Sequence, residues 1–193
     1  MLRVSEEWKA AYPAAAAGVL VIRNAANVVG HQGLNTLKAE LEGQLRARYG
    51  NRDALRALPA IQAYEIYFKR FKKTYHVLLQ LESVALKGKS IPRVGALVEA
   101  MFMAELKSLL LTAGHDPTAI QMPVRLDVAN GSERYVMLNG QEQTLKAGDM
   151  MMADGQGVIS AWSTARTGAR GSRRKRARSS SRSTRRLASG KKP

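Results

Sequence analysis

The spacing of apolar residues along this chain changes period part-way, and the change divides a helical stretch from a hairpin stretch. Ala17 to Arg23 is a short β-branched run suited to a buried strand. Leu34, Leu37, Leu41, Leu45 and Tyr49 then recur every three or four residues, with Lys38, Glu40, Glu42, Arg46 and Arg48 between them. That spacing predicts an amphipathic helix closed at Gly50. A shorter helix is predicted from Asp53 to Leu58, ended by Pro59. Val77, Leu78, Leu81, Val84 and Ala85 mark another apolar face. Pro92 precedes a long helix carrying Val94, Leu97, Val98, Met101, Glu105 and Leu109, which Gly114-His115-Asp116-Pro117 stops.

After Pro123 the period becomes two. Val124, Leu126 and Val128 alternate with Arg125 and Asp127, and further short strands are predicted at 135–138, 143–146, 149–153 and 158–160. Asn139-Gly140 is a hairpin signal, and Gly155-Gln156-Gly157 reads as a tight turn. Met150-Met151-Met152 falls within a strand and reads as core and edge packing. The fold class expected is α+β: a compact single domain with several helices packed on a mixed, hairpin-rich sheet.

Charge changes this picture at one place. The chain has 193 residues and a formal charge of +16. Residues 161–193 hold twelve Lys and Arg and no acid, whereas residues 1–160 hold nineteen basic and fifteen acidic side chains. The segment 161–193 is nearly all Arg, Ser, Ala, Gly and Thr, too polar to offset the entropy of ordering it, so a disordered basic tail is expected after a domain at 1–160. At face value such a tail is a nucleic-acid-binding arm.

Composition also excludes chemistry. With no cysteine there are no disulfides, thiolate nucleophiles or Cys-ligated metals. The longest apolar run, Ala14 to Ile22, falls short of the ~20 residues a membrane span needs, and Glu6 and Glu7 argue against a signal peptide. A cytoplasmic location without membrane contact is expected. There is no Walker loop and no dinucleotide glycine fingerprint, and His31, His76 and His115 lie far apart, so neither a cofactor nor a metal is expected.

The segment Lys69 to His76 sets Lys69, Arg70, Lys72 and Lys73 beside Tyr67, Phe68, Phe71 and Tyr75. Cations neutralise phosphates and aromatic faces stack on unpaired bases. Lys87, Lys89 and Arg93 would extend such a patch. The same residues read equally as a helix end with core aromatics and solvated lysines.

Lys69-Arg70-Phe71-Lys72-Lys73-Thr74-Tyr75-His76, Leu81-Glu82-Ser83, Ile91-Pro92-Arg93, Gly114-His115-Asp116 and Leu145-Lys146-Ala147-Gly148-Asp149 together resemble the B-three/B-four domain of the phenylalanyl-tRNA synthetase beta chain in its free-standing form. The resemblance covers about residues 8 to 160. It implies a tRNA-binding domain that hydrolyses tRNA wrongly charged with tyrosine. The family's Leu-His-Ala-Phe-Asp segment matches Thr112 to Asp116: Asp116 is kept, the editing histidine falls on Ala113, and His115 lies two places later. The family's paired asparagine falls on Gly95-Ala96. His115, Asp116 and Glu82 are the candidate catalytic groups on this basis. The candidate RNA contacts are Lys69, Arg70, Lys72, Lys73, Tyr75, His76, Lys87, Lys89 and Arg93.

The resemblance also bears on the tail. Joining the third base of each codon to the first two of the next permits, from Ala161 to Arg176, the string VVHGPDRRTRITPETR, and beyond it AVLFAVYAPPGI. Both resemble the continuation of free-standing members. Residues 161–193 are therefore read as a frameshift product, and the domain as truncated at its C-terminal end.

Three functions follow as expectations. The first is a tRNA-binding module, with trans-editing of mischarged aminoacyl-tRNA. The second is a binding protein for a free amino acid or similar small ligand. The third is a sequence-blind nucleic-acid binder acting through its basic tail.

Overall fold

The computed structural model describes residues 2–136 and 140–164. Strand β1 (Leu2–Val4) leads into helix α1 (Glu6–Ala11), capped where the Ser5 hydroxyl accepts the Trp8 N–H at 3.0 Å. Helix α2 (Gln32–Arg48) is capped by His31, and α3 (Arg52–Arg56) by Asn51. The helix expected ahead of Pro59 stops at Arg56, Leu58 is extended, and Pro59 then opens α4 (Pro59–Arg70), where its missing N–H costs nothing. Helix α5 (His76–Leu81) runs into one π-helical turn, Glu82–Leu86, and α6 (Ala96–Ser108) follows.

Strands β2 (Val124–Val128), β5 (Met150–Asp154) and β6 (Gly157–Ala161) form a sheet with β1, in the order β1-β2-β5-β6. β1 runs parallel to β2 and the other pairs are antiparallel, so the sheet is mixed. Strands β3 (Arg134–Val136) and β4 (Glu142–Thr144) pair antiparallel as a separate small sheet. The α+β expectation holds.

Alternation along β5 ties the layers together. Met150 packs against the helical core, which centres on Leu55, Ile61, Phe68, Tyr75, Leu78 and Leu81. Met151 turns the other way, into a second cluster with Tyr135, Leu145, Val158 and Ala161. One carboxylate fastens the layers. Asp149 is fully buried, and it accepts the Tyr67 hydroxyl, the Ser163 hydroxyl and the Ser163 N–H at 3.1 Å. The Tyr67 oxygen in turn accepts the Met150 N–H at 2.7 Å. Burial, reinforced by the Asp149 charge, pushes the Tyr67 phenol above its ordinary range and keeps it a donor.

Several expectations are corrected. Ala17 to Arg23 forms no strand: Val19, Leu20, Val21 and Ile22 are 56–83% exposed, because no strand among the described residues pairs with them. The expected faces of α2 and α5 are buried at Leu41, Leu45, Tyr49, Val77, Leu78 and Leu81, but the face of α6 is rotated from the apolar pattern. Leu37, Val94, Leu97 and Val98 are exposed, whereas Lys38, Glu99 and Glu105 turn inward. Lys38 and Glu99 form a buried ion pair between α2 and α6, and Glu99 also accepts the Val94 N–H. The folded body passes the predicted break at Ser160. Ala161 is a buried strand residue, Trp162 packs on the helical core, and Ser163 binds Asp149. The rest of the predicted disordered tail, residues 165–193, lies outside the described residues.

Two outcomes are expected. Tyr67→Phe leaves the Met150 N–H and one Asp149 oxygen short of a partner, so urea unfolding should show a loss of about 1–3 kcal/mol. The second concerns acid. The Lys38 ammonium, hydrogen-bonded to Glu99, holds that carboxyl below its ordinary value of 4.5. A carboxyl lowered only in the folded state stabilises above its unfolded value and stops doing so as pH falls below it. Denaturation midpoints should drop between about pH 5 and pH 3, and Lys38→Met should flatten that part of the profile.

Candidate functional site

The basic segment grows out of the end of α4. Its aromatics are core, not a stacking platform: Tyr67, Phe68 and Phe71 are buried. Tyr75, expected as an RNA contact, has no exposed surface. It stacks on Tyr64 with centroids 4.3 Å apart, and its hydroxyl donates to the Leu109 carbonyl at 3.1 Å. Burial, then the neighbouring Tyr64 and Glu105, push its phenol upward. The reason is the helix period. Tyr64, Tyr67, Phe68 and Phe71 lie three or four residues apart and face inward together, which leaves Lys69, Lys72 and Lys73 outside.

The turn after α4 displays these lysines. Lys72 is left-handed at φ 57°, a conformation that costs a side-chain-bearing residue roughly 1–2 kcal/mol. Lys73 N–H closes the turn on the Phe68 carbonyl at 3.1 Å. Lys69, Lys72 and Lys73 are exposed and form no ion pair among the described residues. Arg70 is engaged instead. Its guanidinium lies over the Tyr12 and Phe71 rings, 5.7 Å from each centroid, and donates to the Tyr12 hydroxyl at 3.2 Å.

Beside this turn lies a cleft of about 120 Å³, walled by Phe71 and Lys73 on the α4 side and by Tyr135, Gln143 and Lys146 on the hairpin side, with Ser163 and Thr164 closing it. A wider depression of about 400 Å³ lies across β2, β5 and β6, and its character is opposite: Glu7, Asp127, Glu133 and Asp154 line it with Arg125. Much of that acid is committed. Asp127 takes the Ser5 hydroxyl and the Arg125 guanidinium, and Glu133 takes the Asn130 and Gly131 N–H groups.

Lys87, Lys89 and Arg93 are exposed, but Lys87 and Lys89 belong to a different neighbourhood. Arg46 of α2 donates to the Gly88 and Lys89 carbonyls at 3.2 and 3.3 Å and so anchors that loop to α2. His76, expected among the RNA contacts, is largely buried, with Nε2 3.7 Å from the Glu105 carboxylate. Glu105 already accepts the Thr112 N–H and hydroxyl, each at 3.0 Å.

The three candidate catalytic groups are not brought together by any hydrogen bond or ion pair. Glu82, on the π-helical turn, is bound by Arg52 at 2.6 Å. Asp116 caps the 3-10 turn Pro117–Ala119, accepting the Thr118 N–H and hydroxyl, and these bonds hold its carboxyl low. His115 has both ring nitrogens buried without a partner among the described residues, and desolvation lowers its pKa and favours the neutral ring. Its loop is held close to α6: a Cβ on Gly114 would meet the Met101 sulfur at 2.6 Å. Among the described residues no group of three or more His, Asp or Glu side chains is placed to hold a metal ion. No helix there is long and apolar enough to cross a membrane.

Sequence reasoning did not single out Lys146, Gln143 or Ser163. Their signal was weak: Gln143 stands in the short polar strand β4, Lys146 in the loop after it, and Ser163 in the 3-10 turn after β6. Lys72→Gly should remove the left-handed strain and raise stability by about 1 kcal/mol in urea unfolding, although the exposed ammonium is lost.

A comparison of the chain with protein-family models finds none that matches, and no curated protein matches it either.

Proposed function

We propose that this chain is a tRNA-binding module of the synthetase-domain type, holding RNA phosphates at the turn after α4. The observation that supports the reading is the trio Lys69, Lys72 and Lys73: exposed, without carboxylate partners among the described residues, and set on a turn that the aromatic core backs. Phosphate neutralisation by such cations supplies most non-specific affinity for nucleic acid. Base stacking on Tyr75 has no part in it, because that ring is sealed.

Hydrolysis is no part of this reading: both His115 ring nitrogens are buried, so neither reaches a water beside an aminoacyl ester. Glu82 and Asp116 are spoken for by Arg52 and Thr118. A free amino acid is the less favoured ligand, since among the described residues the cationic cleft has no carboxylate to receive its ammonium group.

The test is the salt dependence of tRNA binding by the full chain. Replacing Lys69, Lys72 and Lys73 by Ala should lower the slope of log affinity against log salt by about two. A control with Arg173, Arg174 and Arg176 replaced by Ser should leave the remaining contacts at the turn in force. A slope that ignores the lysines and responds only to the arginine control assigns binding to the tail and rejects the proposal.

A further inference from the structure

We propose that the cleft between the turn after α4 and the β3–β4 hairpin seats one phosphate group of the RNA strand, gripped between the Lys73 and Lys146 ammonium groups. The inference deepens the RNA reading above and rests on it. It adds a bounded site to what would otherwise be a diffuse patch.

The donors are arranged for an anion. Lys146 donates to the Phe71 carbonyl at 3.2 Å, which fixes the ammonium at the cleft wall and leaves two of its N–H bonds to give. Gln143 accepts the Tyr135 hydroxyl at 3.0 Å through its carbonyl oxygen, so its amide hydrogens remain as donors. Lys73 faces the same space from the opposite wall. Among the described residues no carboxylate lines the cleft to neutralise the two lysines. Lys73 and Lys146 both line this one small space, so their positive charges add there and favour an anion.

Size and backbone narrow the ligand. At about 120 Å³ the cleft is well below the ~300 Å³ where sites for drug-sized molecules begin, so it has room for a phosphate group and not for a nucleoside. Phe71 and Tyr135 supply apolar walls that lower the local dielectric and strengthen each charge contact. Lys72, next to Lys73, holds a left-handed conformation that glycine would adopt without strain. Strain kept in a cationic turn beside an anion-shaped cleft is what a binding role for that turn predicts.

The experiment titrates inorganic phosphate into the full-length chain at constant ionic strength, with amide NMR shifts as the readout. Saturable shifts at Lys73, Lys146 and Ser163 are expected, at least fivefold weaker in Lys73→Ala. Lys146→Met removes a bond to Phe71 and risks the fold. Lys73→Ala, whose side chain holds no element in place, keeps the test decisive. Phosphate should also compete with single-stranded RNA, and a 5′-phosphorylated oligonucleotide should compete better than its 5′-hydroxyl twin if a strand end is the ligand. Equal competition by the two assigns the site to an internal phosphodiester, which equally supports the proposal.

Shifts absent from the cleft, or unchanged in Lys73→Ala, overturn the proposal. If they are absent while a Lys69→Ala, Lys72→Ala double variant still lowers the salt slope of RNA binding, the cleft falls and the RNA reading stands. If phosphate fills the cleft and no RNA binds, the RNA reading falls, and with it the assignment of the phosphate to an RNA strand.

Discussion

A single buried carboxylate holds this fold in register. Asp149 begins the β5 segment from the turn at Gly148, receives Tyr67 from α4, and receives both the hydroxyl and the N–H of Ser163 beyond β6. A carboxylate removed from water is costly unless its lone pairs are filled. Here three donors from two distant parts of the chain fill them. The consequence is positional: α4 must sit over β5, and the chain leaving β6 must turn back beneath the end of α4. The lysine turn and the cleft exist because those two constraints meet at one place.

The same physics marks the limit of what could be read from the chain. The period-two stretch after Pro123 was legible as strands, because Val124 and Leu126 turn inward while Arg125 between them is exposed. The faces of α2 and α5 were legible, since Leu41, Leu45, Tyr49, Val77, Leu78 and Leu81 are buried, whereas the face of α6 was misread and α1 and α4 were not foreseen as helices. Apolar spacing treats Lys38 and Glu99 as solvent residues, yet each finds a buried partner in the other. A partner 61 residues away leaves no trace in local periodicity. Ala17 to Ile22 shows the opposite failure. Its strand propensity is intrinsic, but a strand exists only where another supplies hydrogen bonds, and none among the described residues does.

Of the site, the cations were visible and their roles were not. Lys69, Lys72 and Lys73 were named correctly as exposed cations, since helical spacing of the neighbouring aromatics leaves them no other face. Tyr75 and His76 were misplaced for a related reason: an aromatic beside lysines looks the same in a stacking platform and in a core, and only the Tyr64–Tyr75 stack and the Leu109 contact decide. Lys146 was overlooked because its significance is relational. It matters through Phe71, which lies 75 residues away.

Binding and hydrolysis make unequal demands on such a scaffold. Holding phosphate requires cations in a bounded space, and tolerance for their position is wide because Coulomb attraction falls slowly with distance. Activating water requires an imidazole whose second nitrogen is oriented by a partner, since an unheld ring samples the reactive geometry only part of the time. Among the described residues His115 has no such partner, while Asp116 and Glu82 are spent on Thr118 and Arg52. The cationic turn is built into the same network that secures β5 and α4, whereas the histidine sits on a loop after α6. The described residues therefore offer what the looser demand needs and not what the stricter one needs, which is why the proposal is RNA binding without hydrolysis.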